Sequence, residues 1–354
     1  VGRKAAEPAN PAYWAGGSIL DASRRVNGEK RVSASSSDAP AYFGVACRKG
    51  LKKQCLQQPN QDSWCARFAA GKLGVVAIFD GHGEKGHLAS HFAKETLTKG
   101  VTSAVVSRED PSPDVQHWYS QVHRALCKAP ELGAQLSGTT ATIAVHDVAR
   151  ERLVVSHVGD SGAVLLRHDG AGGLAARCLT RDHVPELAEE RARIEKAGGS
   201  VVFDGCCHRV TQVGAGSALN MSRSLGDAMV HERCGVSAEP EVRVTPLGPE
   251  DAAVLVASDG IWEVITPKEA ADIVGAYPPA LAADAANALA DEAMHRWFTA
   301  SQGQVIDDIT VAIAHFAARR CHAPSDASTV SFPSSCSEVN PVSEFTVSPM
   351  PTAS

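Results

Sequence analysis

One short segment of the chain places an acid, two glycines and an imidazole side by side. Asp80, Gly81, His82 and Gly83 directly follow residues 75–79, a β-branched and aromatic run that predicts a buried strand. The glycines allow the backbone to turn where the strand leaves the sheet. A carboxylate, an approachable carbonyl and an imidazole this close together suit hard divalent cations and proton transfer beside them. An ordinary Asp-Gly turn would give the same local pattern.

Two further predicted strands carry an aspartate at one end. Asp259 follows the apolar run 252–257, and Asp307 opens the run 307–316. In an antiparallel sheet the exit of one strand lies beside the entry of its neighbour, so these acids and Asp80 are predicted to converge. Clustered carboxylates repel one another unless a cation lies between them. Oxygen ligands favour Mg²⁺ or Mn²⁺ over zinc, and two such ions about 3.5–4 Å apart can clamp a phosphoryl group and generate a hydroxide nucleophile.

The segments that must position these acids alternate between strand and helix patterns. Strands are predicted at 42–46, 75–79, 137–145, 152–158, 163–167, 252–257 and 307–316, and helices at 87–106, 114–128, 186–197, 261–264, 268–277 and 281–299. The strands between 137 and 167 are joined by tight turns and predict a β-meander. The Gly-rich segment 200–219 predicts a mobile flap.

Length, composition and charge restrict the class of protein. A chain of 354 residues with 44% hydrophobic content can bury one large core or two ordinary ones. Its net charge of -6 does not favour binding to nucleic acid. No apolar run is long enough to span a membrane as a helix. The ten cysteines include no CxxC pair, which opposes a zinc site and indicates reduced thiols in the cytosol or nucleus. We expect a monomer.

The two ends of the chain differ in composition from its middle. Residues 1–41 are rich in Ala, Ser, Pro and charge, and the stretch 33–40 indicates a loop or linker. Residues 318–354 form a Ser- and Pro-rich tail with too little periodicity to pack. The composition therefore predicts a partly flexible N-terminal extension, a folded domain over 42–317 and a flexible C-terminal tail.

Six short motifs follow one another along the chain. They are Phe79-Asp80-Gly81-His82-Gly83, Ser137-Gly138-Thr139-Thr140-Ala141, Val158-Gly159-Asp160-Ser161, Ser222-Arg223-Ser224-Leu225-Gly226-Asp227, Ala257-Ser258-Asp259-Gly260-Ile261-Trp262 and Asp307-Asp308-Ile309-Thr310-Val311. Their order is similar to that in the metal-dependent protein serine/threonine phosphatases of type 2C. The chain resembles this family over 42–317. The resemblance implies an α+β fold, an α-β-β-α sandwich with two face-to-face antiparallel sheets flanked by helices, which agrees with the predicted meander.

The resemblance also implies roles for single residues. Asp80 matches the aspartate that bridges two Mg²⁺ or Mn²⁺ ions, and Gly81 offers its carbonyl to the second ion. Asp259 and Asp307 match the remaining carboxylate ligands of the first ion. A hydroxide bridging the ions would attack phosphorus in line. His82 matches the general acid that protonates the leaving serine or threonine oxygen, and an imidazole suits this role because its unperturbed pKa lies near operating pH.

Further acidic residues each keep two interpretations. Asp308 is an alternative to Asp307 as the ligand. Asp160 and Asp227 are either plain turn and cap residues or contributors to a weaker third metal site. Asp62 either holds metal-bound water or forms a structural Asx turn.

Three positions depart from the family pattern. Gln61 stands where members often carry Glu, and Gly162 stands where an arginine often follows the Gly-Asp-Ser motif. A phosphate-binding arginine common in animal members would fall at Gln57. The basic residues that are candidates to supply this cation instead are Arg48, Lys49, Lys52 and Lys53. We expect the metal chemistry to survive these changes, whereas phosphate affinity and substrate preference are open to change.

The sequence supports one leading hypothesis about function, and two alternative functions are compared with it. The leading hypothesis is a phosphatase that removes phosphate from serine and threonine of phosphoprotein substrates. A pseudophosphatase would bind a partner on the same scaffold without hydrolysis, but inactive relatives tend to lose carboxylates that are all present here. A metal nuclease uses similar two-ion chemistry, and the absence of a basic stripe argues against it.

Overall fold

The alternating segments fold into two antiparallel sheets whose outer faces are covered by helices. The structure is a computed structural model that describes residues 24–26, 29–34, 42–52, 57–69, 73–211 and 218–316. All of them belong to one unit, Val1–Ala318, and the predicted C-terminal tail lies outside the described residues.

The strands are numbered in chain order. They are β1 (Arg24–Val26), β2 (Glu29–Ala34), β3 (Phe43–Arg48), β4 (Leu51–Lys52), β5 (Ser63–Ala69), β6 (Leu73–Phe79), β7 (Gly81–His82), β8 (Gly138–Thr139), β9 (Ala141–Asp147), β10 (Arg152–Val158), β11 (Gly162–His168), β12 (Leu174–Cys178), β13 (Ser200–Phe203), β14 (His208–Thr211), β15 (Leu225–Gly226), β16 (Glu241–Pro246), β17 (Asp251–Ala257), β18 (Val305–Ile306) and β19 (Ile309–His315).

The helices are numbered in the same way. They are α1 (Gly86–Ser107), α2 (Ser112–Lys128), α3 (Ala188–Lys196), α4 (Ala228–Cys234), α5 (Asp259–Trp262), α6 (Pro267–Gly275) and α7 (Ala282–Ala300), with short 3₁₀ turns at Pro130–Leu132 and Pro279–Leu281. None of the described helices combines the length and the apolar character needed to cross a bilayer.

Two sheets of the described chain form the sandwich. One has the strand order β1-β2-β3-β19-β17-β11-β12, and the other has the order β16-β10-β9-β6-β5. Helices α1 and α2 cover the second sheet, while α6 and α7 cover the first. The predicted α-β-β-α sandwich is therefore confirmed.

Strand β6 shows why the strand sequences are continuously apolar. Its residues Val75, Ala77 and Phe79 pack towards α1 and α2, whereas Val76 and Ile78 pack between the two sheets. Since both faces of the strand are buried, the sequence carries an unbroken apolar run instead of an alternating one. The run stops at Asp80, where the chain reaches the rim of the sandwich.

The structure corrects two boundaries of the sequence analysis. Strands β1 and β2 precede residue 42, and β2 pairs with β3 through Val32↔Val45, so Ser33 and Ala34 belong to a strand and not to a linker. The segment predicted as a flap contains the hairpin β13–β14, and residues 212–217 lie outside the described residues. Valine and phenylalanine in β13 are good strand formers, and Gly205, with φ +100°, supplies the turn.

Candidate active site

The three aspartates at strand ends meet at one rim of the sandwich. Strands β17 and β19 are antiparallel neighbours with Ala257 opposite Val311, which places Asp259 and Asp307 at the same edge. Asp80 leaves β6 on the facing sheet at this rim, and all three aspartates line one cleft of about 710 Å³. The structure thus brings together the residues that sequence analysis predicts as metal ligands.

Hydrogen bonds from two other motifs fix the backbone at Asp80. Its amide donates to Thr140 Oγ1 over 3.0 Å, and its carbonyl accepts from the Thr140 amide over 2.8 Å. The Thr140 hydroxyl is in turn 2.7 Å from the Ser161 hydroxyl. The small polar residues of these motifs therefore hold Asp80 in position.

Asp259 begins helix α5 directly after β17. The Ser258 hydroxyl accepts from the Thr310 amide over 3.0 Å and so ties this turn to β19. The next residue has to be glycine, because a Cβ at Gly260 would lie 2.1 Å from the Asp308 carbonyl oxygen. This close approach brings Asp259 to the strand that follows Asp307.

The carboxylates of the cleft disfavour one another's charge. Burial first, and then the charges of Asp62 and Asp259, raise the pKa of Asp80 well above its usual value. Burial and the charges of Asp160 and Asp307 do the same to the pKa of Asp259. Such a cluster is stable in its charged form only with cations between its members.

Two further aspartates extend this cluster. Burial and the charges of Asp308 and Asp307 raise the pKa of Asp62 to about 7. Burial and the charge of Asp182 raise the pKa of Asp160 to about 6.

Whether metal ions fit this site can be judged from the buried carboxylate oxygens that have no hydrogen-bond donor. Among the described residues, Asp62 Oδ1, Asp160 Oδ1 and Asp259 Oδ1 are buried and have no partner. Orphaned carboxylate oxygens are costly unless a cation satisfies them. Their hard oxygen chemistry fits Mg²⁺ or Mn²⁺.

The two neighbouring aspartates before β19 have different surroundings. Asp307 lines the cleft. The Asp308 carboxylate accepts hydrogen bonds from the amides of Gly50 and Gln61, each over 2.8 Å. This geometry favours Asp307 as the metal ligand. The Asp308 side chain instead joins the loops that carry Gly50 and Gln61. Asp62 itself forms no Asx turn through its side chain, which accepts from the Ser258 hydroxyl over 3.2 Å.

His82 is held by an acid from a distant motif. Its Nε2 lies 2.7 Å from Asp227 Oδ2, and the Ser224 hydroxyl donates to the same oxygen over 2.6 Å. Burial lowers the pKa of His82, but the charge of Asp227 and this hydrogen bond outweigh it, so that the pKa is raised. Asp227 stands at the start of α4 but makes no side-chain cap, so its carboxylate serves His82.

Two of the three residues that depart from the family pattern form hydrogen bonds with their surroundings. The side-chain nitrogen of Gln61, Nε2, donates to the Gly83 carbonyl over 2.7 Å. An ionised glutamate could not make this bond, because its side chain has no donor. The Trp262 indole donates to the Gly162 carbonyl over 3.3 Å. At the third position, Gln57 is exposed and uncharged.

The basic loop does not supply the missing cation through Arg48. This side chain is 5% exposed and pairs with Asp291, because it ends β3 on the face covered by α7. The side chains of Lys52 and Lys53 lie outside the described residues. Arg209 of β14 lines the cleft, and sequence analysis missed it because nothing in the local pattern marks an arginine of the flap.

A second cluster of donor atoms lies apart from the cleft. Among the described residues, only His157, His183 and Glu241 bring three donor atoms within 4.8 Å of one another. His183 Nδ1 accepts from the Gly159 amide and His157 Nε2 faces the Arg181 carbonyl. One nitrogen of each histidine is therefore engaged, whereas His183 Nε2 is buried without a hydrogen-bond partner among the described residues and lies 3.6 Å from Glu241 Oε1. Among the described residues that line the cleft, no three acidic side chains bring their donor atoms within 4.8 Å of one another.

Comparison with known proteins agrees with the geometry. A family model described as protein phosphatase 2C matches residues 44–300. The chain is 32% identical over 289 residues to "Probable protein phosphatase 2C 59" of Oryza sativa subsp. japonica, covering 82% of this chain and 80% of the relative. It is 35% identical over 269 residues to the human integrin-linked kinase-associated serine/threonine phosphatase 2C, covering 70% of this chain and 63% of the relative.

Solved structures show the same fold. The crystal structure of serine-threonine phosphatase 2C from Toxoplasma gondii matches with a TM-score of 0.66 and 22% identity, covering 82% of this chain and 100% of that one. At this identity the likeness establishes the architecture alone. The family model and the relative from Oryza sativa establish that the chain belongs to the protein phosphatase 2C family and is a protein phosphatase.

Proposed function

We propose that the protein hydrolyses phosphoserine and phosphothreonine in phosphoprotein substrates with the help of two Mg²⁺ or Mn²⁺ ions. The observation that supports this most strongly is the convergence of Asp80, Asp259 and Asp307 on one cleft beside His82. When bound, the ions would neutralise the phosphoryl oxygens and acidify the attacking water.

The chain's own carboxylates would hold the ions in the cleft. Asp80, whose charge interacts with those of Asp259 and Asp307, is the candidate ligand shared by both ions, and Asp259, Asp307 and the carbonyl of Gly81 would supply the remaining ligands. Asp62 is positioned by Ser258 and is proposed to hold coordinated water. Asp160, whose charge reaches Asp259, is the candidate for a third ion.

His82 is proposed to protonate the leaving oxygen. Asp227 occupies its Nε2, so the proton to be transferred is the one on Nδ1, which has no partner among the described residues. The negative charge of Asp227 favours the protonated imidazole and fixes the orientation of the ring. We therefore assign Asp227 to the positioning of His82, not to a third metal ion.

Removal of divalent ions is expected to abolish activity. The wild-type protein should hydrolyse a phosphothreonine peptide with Mn²⁺, lose this activity with EDTA and regain it when Mn²⁺ is restored. Iodoacetamide should leave the rate unchanged, because no cysteine lines the described part of the cleft. Undiminished turnover after chelation would contradict the two-ion mechanism.

The loss of rate caused by substituting His82 or Asp227 is expected to depend on the leaving group of the substrate. General acid catalysis contributes about 100-fold or more when the leaving group is a poor one such as an alkoxide. His82→Ala should therefore slow hydrolysis of the phosphopeptide by about this factor and affect p-nitrophenyl phosphate much less. Asp227→Asn should show the same pattern with a smaller loss.

The Mn²⁺ dependence of these variants separates the two interpretations of Asp227. If Asp227 positions His82, the Mn²⁺ concentration for half-maximal rate should equal that of the wild-type protein. A shifted Mn²⁺ dependence without a leaving-group effect would favour the third-ion interpretation instead.

A binding module without activity is the second candidate function. The observation against it is that none of the predicted carboxylate ligands is missing or turned away from the cleft in the described structure. Protein that binds Mn²⁺ and a phosphopeptide but shows no turnover would favour this alternative.

A further inference from the structure

We propose that Arg209 binds the phosphate group of the substrate and fills the role left open by Gln57. The inference rests on the proposed phosphatase function and names the residue that recognises the phosphate. Arg209 belongs to β14, in the hairpin that borders the cleft, far in sequence from the basic loop at 48–53.

The charges around the cleft require such a residue. Four acidic side chains line it, namely Asp80, Glu84, Asp259 and Asp307. Among the described residues that line the cleft, Arg209 is the only lysine or arginine. A phosphate dianion that enters between these acids needs a cation from the protein in addition to the metal ions, and Arg209 is the one that the cleft offers.

Packing beneath the hairpin explains why Arg209 faces the cleft. Its neighbour Val210 is fully buried in a small core with Ile194 and Met221, and it pairs with Leu219 through two backbone hydrogen bonds of 2.7 and 3.1 Å. Because successive side chains of a strand point to opposite faces, Arg209 is directed away from this core. The small core thus anchors the strand that carries the arginine.

A carboxylate in the hairpin turn orients the guanidinium. Asp204 accepts hydrogen bonds from the amides of Cys206 and Cys207 over 2.9 and 3.0 Å through one oxygen and from Arg209 Nε through the other. The two terminal Nη groups of Arg209 have no hydrogen-bond partner among the described residues. A guanidinium held at Nε still offers a pair of parallel donors, which is the arrangement that binds phosphate in a bidentate manner.

The test compares Arg209→Ala, Arg209→Lys and the control Arg233→Ala with the wild-type protein. Arg233 is an exposed arginine of α4 outside the cleft. We expect Arg209→Ala to lower kcat/KM by about 10- to 100-fold for both a phosphopeptide and p-nitrophenyl phosphate, mainly through KM. Arg209→Lys keeps the charge but not the pair of parallel Nη donors, so its kcat/KM should be intermediate. The kcat/KM of Arg233→Ala should resemble that of the wild type.

Binding of inorganic phosphate to the Mn²⁺-loaded proteins, measured by calorimetry, provides a readout without turnover. Its affinity should fall by a similar factor in Arg209→Ala. If the wild-type protein proves inactive while phosphate affinity still depends on Arg209, the proposed function fails and this inference stands. Unchanged phosphate affinity, or a loss confined to the phosphopeptide, would overturn the inference, because Arg209 would then contact no phosphate.

Discussion

Asp80→Asn is expected to lower kcat/KM by about a thousandfold or more while leaving the fold intact. Metal-ion catalysis supplies several kcal/mol of transition-state stabilisation, and each 1.4 kcal/mol or so corresponds to a tenfold change in rate. Asparagine has nearly the same shape as aspartate, but it removes the charge that is proposed to bridge both ions. Steady-state kinetics with a phosphopeptide and Mn²⁺ measures the loss.

The same variant should be more heat-stable than the wild type when metal is absent. Asp80 lies among Asp62, Asp259 and Asp307, and in the ion-free protein its charge only adds repulsion. Addition of Mn²⁺ should raise the Tm of the wild type more than that of the variant. Asp272→Asn, which removes an exposed carboxylate paired with Lys268, is the matched control and should change neither property. Wild-type rates in Asp80→Asn would exclude the proposed role.

The second large effect is expected on stability. The Glu190 carboxylate, 1% exposed, accepts hydrogen bonds from Arg223 over 2.6 Å and Ser222 over 2.5 Å and pairs with Arg193 over 2.8 Å. Glu190→Ala leaves these donors without their shared acceptor. Removal of one partner from a buried ion pair typically costs 3–5 kcal/mol, and we expect about 3 kcal/mol because Arg193 is partly exposed. Denaturant unfolding measures the change.

The neighbouring residue is a suitable control for this prediction. Glu189 pairs with Arg181 on the surface, with about half of each side chain exposed, so Glu189→Ala should cost less than about 1 kcal/mol. Equal losses in the two variants would show that the buried network does not stabilise the fold as we propose.

The Glu190 network should also make stability depend on pH in a defined range. Burial alone would raise the pKa of Glu190, but its hydrogen bonds with Arg223, Arg193 and Ser222 lower it to about 2, from 4.5. A carboxyl whose pKa is depressed by folding stabilises the native state above its unfolded pKa. This contribution is therefore present above about pH 4.5 and lost as the pH falls towards 2, and Glu190→Ala should lack it.

The sheets and the acid cluster were predictable because their signals are local. Residues 75–79 and 252–257 are unbroken apolar runs, and each is followed within two residues by an aspartate that precedes a glycine. Antiparallel pairing of β17 with β19 then brings Asp259 and Asp307 to one edge without further information. The edge strand β16 was missed because it has only two apolar residues besides its final proline, Val242 and Val244, and lacks the unbroken apolar run of the central strands.

Contacts between distant segments could not be predicted in this way. The partner of His82 lies 145 residues away at Asp227, and no local pattern connects the two. Arg48 looked like a cation of an exposed loop, but α7 covers it and supplies Asp291. Arg209 reaches the cleft only because Val210 is anchored in a small core formed by α3, α4 and the hairpin. Long-range packing decides these roles.

Anomalous diffraction from crystals grown with Mn²⁺ tests the central claim most directly. We expect two strong peaks in the cleft, about 3.5–4 Å apart, with Asp80 between them and with Asp259 and Asp307 as ligands of one ion. In Asp80→Asn crystals at least one peak should disappear. An empty cleft in the wild-type protein at saturating Mn²⁺, or ions bound only at His157 and His183, would contradict the account.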